Sequence, residues 1–175
     1  MVRMEMIDSS WEERIKELWS SIDDIEPDAL IAAVDRLADE LPTGNAVAEF
    51  ERACARDLTG QPDLAVPLYR ASLSAGLSGI LRRRAVIQMA SSLRNLGDPA
   101  EAVRLLAVET GAGSDELDGA VSAFLALALA DLGREREALS CSLVALSKYL
   151  PRYNRSLANY AVDLLETREI VQKKV

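Results

Sequence analysis

The sequence predicts an all-α chain built from repeated pairs of antiparallel helices, and three observations carry that expectation. The first is composition: 49% of the 175 residues are hydrophobic, only 5% are aromatic, and alanine and leucine dominate. Both rank high in helix propensity, whereas β-branched residues, which favour strands, are comparatively few. The second is periodicity, since apolar residues recur at i, i+3, i+4 and i+7 through most of the chain. The third is a phrase that occurs three times, in which a glycine closes one helix and an alanine lies near the start of the next. The glycines are Gly60, Gly97 and Gly133, 37 and 36 residues apart. Seven residues before each stands Ala53, Ala90 or Ala126, and five after it stands Ala65, Ala102 or Ala138. Two helices joined by a tight turn approach closely only where small side chains face each other, and glycine supplies the positive φ that ends a helix abruptly.

Taken in order, residues 1–8 read as a loose tail. Ser10 and Glu13 fit a capping box, and Trp11, Ile15, Leu18, Trp19 and Ile22 fall on one face of the helix that follows. Asp23 to Glu26 break that helix, and Pro27 suits the first position of the next. Its apolar stripe is Ala29, Leu30, Ala33, Val34, Leu37 and Leu41, and Pro42 to Asn45 end it. Three helix pairs follow: about 46–59 with 62–75, 80–96 with 99–109, and 115–132 with 135–149. A last helix, about 152–170, places Tyr153, Leu157, Tyr160, Ala161, Leu164 and Leu165 on one side, and residues 171–175 are expected to fray. The chain thus divides into a tail and two capping helices at 1–44 and a repeat array at 45–170. The repeats run about 46–79, 80–114 and 115–151, closed by the helix at 152–170.

A helix-turn-helix period in the mid-thirties, small residues flanking the turn, and a Glu-Ala or Leu-Ala opening of the second helix resemble tetratricopeptide repeats. Within that family the position four after the second-helix alanine is aromatic or large. Here it is Tyr69, Leu106 and Ser142, so the third pair departs from the pattern. The resemblance, which covers about 46–170, is to small bacterial members of unassigned function. It implies a right-handed α-solenoid and a generic role as an interaction scaffold.

Net charge is −8, which argues against general nucleic-acid affinity. The acidity is local: residues 1–60 hold 15 acidic and 6 basic residues, or −9, and the other 115 sum to +1. No apolar run is long enough for a membrane span, and no signal-peptide core is visible, so a cytoplasmic protein is expected. Cys54 and Cys141, both within apolar helical patterns, read as reduced thiols.

Catalytic chemistry finds little support. The absence of histidine removes Ser-His-Asp and Cys-His mechanisms and imidazole metal sites. The two cysteines are too far apart for a CxxC motif. Gly111-Ala112-Gly113-Ser114 lacks the lysine and spacing of a phosphate loop. Asp115, Glu116 and Asp118 favour a helix N-terminus rather than a calcium loop. No enzyme, cofactor or metal is expected.

Binding finds more. Arg82-Arg83-Arg84 open the first helix of the second repeat. On it Arg84, Gln88, Ser91 and Asn95 share one face, with Arg94 beside them; Ala85, Val86, Met89, Ala90, Leu93 and Leu96 form its core face. In the family the first helix of each repeat lines a concave groove. By that register Val47, Phe50, Glu51, Cys54 and Asp57 join from the first repeat, and Ala120, Ala123, Phe124, Leu127 and Asp131 from the third. Arg152, Arg155 and Asn159 come from the last helix. Phe50 and Phe124 would be an apolar floor between arginine and amide donors. Arginine forks recognise carboxylates, so a peptide or protein with an acidic segment or free carboxylate is the expected partner, without nucleic acid or membrane. The lysine-asparagine carboxylate clamp of some chaperone-binding relatives is not matched. Alternatives are a self-associating structural protein, dimeric through its terminal helices, and, behind it, a regulatory domain or an unrecognised hydrolase. Trp11 and Trp19 either cover the open end of the array or meet a partner.

Overall fold

The glycine turns recur with the same hydrogen bonds, and these fix the helix pairs. In the computed structural model, which describes residues 8–172 and side chains through residue 166, Gly60, Gly97 and Gly133 have φ of 77°, 86° and 70°. At Gly97 the glycine N–H donates to Arg94 O (3.0 Å) and Asp98 N to Leu93 O (2.9 Å). The same two bonds close the helix at Gly60 and at Gly133, which satisfies carbonyls that a helix end otherwise leaves without partners. The next helix then opens on Pro62, on Pro99 or on Glu135.

All helices are α-helical apart from a short 3-10 turn at Ile22–Asp24, and no strand occurs among the described residues. The chain divides into two compact units between Ala85 and Val86, within one helix. The first unit holds α1 (Ser9–Ser20), α2 (Pro27–Ala38), α3 (Ala46–Leu58), α4 (Pro62–Ser74) and the opening turns of α5 (Gly79–Asn95). Trp11, Ile15, Leu30, Val34 and Ala55 form its buried cluster. Charge reinforces it: Arg56 grips Asp35 with two 2.7 Å bonds, and Arg52 reaches Asp39 and Glu49. Ser72, fully buried, donates from Oγ to Ala46 O at 2.7 Å, tying α4 to the start of α3.

The second unit continues α5 and adds α6 (Pro99–Gly111), α7 (Asp118–Asp131), α8 (Glu135–Ser147) and α9 (Asn154–Gln172). Ile87 and Ala90 of α5 pack with Ala102 and Leu106 of α6 and with Val121 and Ala128 of α7. Ala126, Leu129 and Ala138 join α7 to α8. Each alanine of the repeated phrase is buried, and so is Ala161 of α9, 35 residues beyond Ala126. That spacing marks α9 as the first helix of a further repeat. Arg136 ties it to α8 by donating to Leu164 O at 3.0 and 2.9 Å.

Several details differ from the sequence reading, among them Leu96, expected on the core face of α5 but 47% exposed. Asp8, not Ser10 with Glu13, caps α1, because its carboxylate accepts both from Ser10 N–H and from Ser10 O–H. The start of α7 moves to Asp118, since Leu117 N–H donates to Asp115 and Asp115 N–H to Asp118, which holds the preceding residues in a turn. The last helix begins at Asn154 because Tyr153 has φ of 66°. Among the described side chains of α9 only Ala161 is buried and Leu157 and Leu164 are half-buried, while Tyr160, Leu165 and, just before the helix, Tyr153, expected on the same apolar side, are exposed. The tail and the frayed C-terminus expected from sequence lie outside the described residues, save Asp8 and the backbone of 171–172.

Candidate functional site

Each first helix carries its small alanine inward, so the residue after the alanine marks the same neighbouring position on every one. Those residues are Cys54, Ser91, Leu127 and Val162. Their surroundings differ between the two units.

In the first unit the position is filled. Cys54 is buried, and burial pushes its thiol up to about 12. The Tyr69 hydroxyl lies 3.3 Å from Asp57 Oδ2 and 3.8 Å from Cys54 Sγ, and burial pushes that phenol up as well. Phe50 is fully buried, its ring centroid 6.3 Å from that of Tyr69. It belongs to the interior between α3 and α4 and forms no exposed floor. Its outward role is indirect: the exposed Arg84 guanidinium lies over its ring, 5.3 Å from the centroid, a cation–π contact that restrains the arginine. Glu51, 8% exposed, accepts a 2.6 Å bond from Trp19 Nε1 of α1. Burial raises its carboxyl above the ordinary value, while the Trp19 bond and the Arg84 charge oppose the rise. Arg83, also expected at the surface, is buried.

The second unit leaves the position open. Leu127 is 46% exposed and Val162 is 48% exposed, and Ser91 is half-buried. Arg94 of α5 pairs with Asp131 of α7. The faces of α5 and α7 that the register aligned are therefore neighbours. Gln88 is half-buried and Asn95 exposed on α5, and Phe124 of α7 is half-buried against the Ile87–Leu106 cluster. On α9 Arg155 and Asn159 are exposed, and Arg152 lies exposed just before it. Neither Arg152 nor Arg155 makes an ion pair among the described residues. Sequence reasoning missed the Trp19–Glu51 bond and the Arg94–Asp131 pair, although it had placed Glu51, Arg94 and Asp131 on the aligned faces.

Among the described residues no group of three or more Asp, Glu, Cys or His is arranged to hold a metal ion, and no helix is long and apolar enough to cross a membrane. Helices paired through glycine turns at a period near 36 residues, with small residues at each crossing, define a helix-pair repeat protein. The tetratrico peptide repeat family model matches residues 46–164, and the chain belongs to that family. No curated protein and no solved structure matches it.

Proposed function

We propose that this chain is a non-catalytic binding scaffold that takes a protein segment along the first-helix face of its second unit. One observation carries the reading: Leu127 and Val162 stand at the same place on successive first helices, and both stay about half exposed. Solvent-exposed apolar side chains repeated at a structural period, rimmed by polar groups, are the composition of an interaction surface. Arg155 and Asn159 stand exposed on α9, and Asn95 closes α5. An arginine without an ion-pair partner can take a carboxylate in a two-point fork, and an amide can pair with a peptide backbone. The partner that fits is a segment with apolar side chains and a nearby acidic residue or free carboxylate. Arg94 contributes less directly, because Asp131 already neutralises it.

The test compares affinity capture by the natural chain, by Leu127→Glu/Arg155→Glu, and by Leu139→Glu, which alters an exposed leucine of α8 instead. Partners lost with the first variant and kept with the second, at unchanged melting temperature, support the reading. Partners kept by both overturn it.

A further inference from the structure

The second unit also carries a basic, tyrosine-rich stretch that overlaps the scaffold face at Arg155. From 138 to 162 the chain contains Lys148, Arg152 and Arg155 and no acidic residue. Three tyrosines on this stretch are largely exposed: Tyr149 at 71%, Tyr153 at 77% and Tyr160 at 68%. The Tyr149 hydroxyl sits at Gly119, where an added Cβ would come within 2.7 Å of it. Lys148 stands 3.7 Å from Asp118, and the two arginines have no ion-pair partner among the described residues. The longer acid-free stretch, 64–97, engages most of its arginines within the fold and leaves Arg70 exposed. Arg83 is buried, Arg84 lies on Phe50, and Arg94 pairs with Asp131. Exposed tyrosine beside free arginine is the composition of interface anchors.

The complement lies in the same chain. From 17 to 35 there are six acidic residues and no basic one. Asp23, Asp24, Glu26 and Asp28 are all exposed, and none makes an ion pair among the described residues. No large hydrophobic side chain is exposed among described residues before Leu58, so this face offers charge rather than apolar area. Its partner must therefore bring cations and amphipathic rings. We propose that the Tyr149–Tyr160 corner of one copy docks on the Asp23–Asp28 face of a second copy, giving head-to-tail self-association driven by charge. Two unlike patches meet, so the contact is heterologous, and each copy keeps one patch free for the next. With a net charge of −8 on every copy, the association is weak at a distance and depends on the local patches. Salt therefore weakens it.

Sedimentation velocity of the intact chain over rising concentration, at low salt and at about 1 M salt, where screening acts within about 3 Å, reads the association. We expect species larger than the monomer that grow with concentration and lose about tenfold or more in association constant at high salt. Arg152→Glu/Tyr153→Asp removes the corner, and an aspartate tolerates the left-handed backbone at position 153. Asp23→Lys/Asp24→Lys removes the acidic face. Each variant alone is expected to stay monomeric at an unchanged melting temperature, and an equimolar mixture is expected to form pairs and nothing larger. A monomer at every concentration in low salt overturns the proposal. So does association insensitive to the acidic-face variant, which would mean a symmetric contact of two corners or an unrelated one. Leu127→Glu alone reports the scaffold surface and leaves the corner unchanged, so loss of captured partners there with self-association intact separates the two readings.

Discussion

Replacing Trp19 by phenylalanine deletes one hydrogen-bond donor and keeps most of an aromatic ring. The donor is the Nε1–H that reaches Glu51 at 2.6 Å. A buried acceptor stripped of its donor costs about 1–3 kcal/mol, more for a charged group, and the smaller ring adds a modest packing loss. A deficit of about 2–3 kcal/mol corresponds to a fall in Tm of roughly 5–10 °C for a chain of this size. The pH dependence distinguishes this cause from lost packing. Burial holds the Glu51 carboxyl above its ordinary value of 4.5, so the folded chain binds that proton more tightly than the unfolded chain. The stability this contributes is fully present below 4.5 and is lost as pH rises through the folded value. The Trp19 bond holds the folded value down, and its removal lifts that value further. The deficit of Trp19→Phe is therefore largest near neutral pH and shrinks as pH falls toward 4.5. Glu51→Gln in the same background recovers part of it, with a coupling of about 1–2 kcal/mol in the double-mutant cycle. Denaturant titrations followed by Trp11 fluorescence and by circular dichroism measure both. A deficit that is the same at every pH and indifferent to Glu51→Gln would refute the reasoning.

Three further outcomes follow from packing and backbone geometry. Leu106→Ala, at a fully buried site between α5, α6 and α7, should cost about 2–5 kcal/mol in denaturant titrations. Gly97→Ala meets no atom within 4 Å of its new Cβ but forces an L-residue to φ of 86°, so it should cost about 1–2 kcal/mol through the backbone alone; the same titration checks it. Timed thiol labelling with mass spectrometry should find Cys141 modified first and Cys54 only on unfolding, since Cys54 is the more deeply buried and its thiol is pushed up to about 12.

The repeat frame was legible because its cause is local. Gly97, Ala90 and Ala102 sit within one helix-turn-helix, where a positive φ and two small side chains are dictated by neighbours in sequence. Tyr69 and Leu106, picked out by the same register as large residues, are fully buried. What escaped depends on which helix covers which face. Phe50 was assigned to an exposed floor by its position on α3, but Tyr69 and Arg84 enclose its ring. Trp19 was read as an end cover or a partner contact; it packs against the Trp11–Ala55 cluster, and its indole N–H also meets Glu51, 32 residues away. Periodicity places a residue on a helix face without saying what lies opposite. The same gap explains α9, where the pattern placed Tyr153 and Tyr160 on the apolar side, yet among its described side chains only Ala161 is fully covered. Ser10 and Asp8 show a third limit, because several polar residues before a helix can cap it and the backbone chooses one.

The central claim is that the open first-helix face of the second unit is where this chain holds its partner. Site-specific photo-crosslinking from position 127, with position 139 on α8 as the control, tests it most directly, since both leucines are about half exposed. A crosslinker at 127 is expected to capture one discrete protein segment, competed away by excess natural chain but not by excess Leu127→Glu chain, while position 139 does not capture it. Equal capture at both positions, or none at 127 while partners still co-purify, would contradict it.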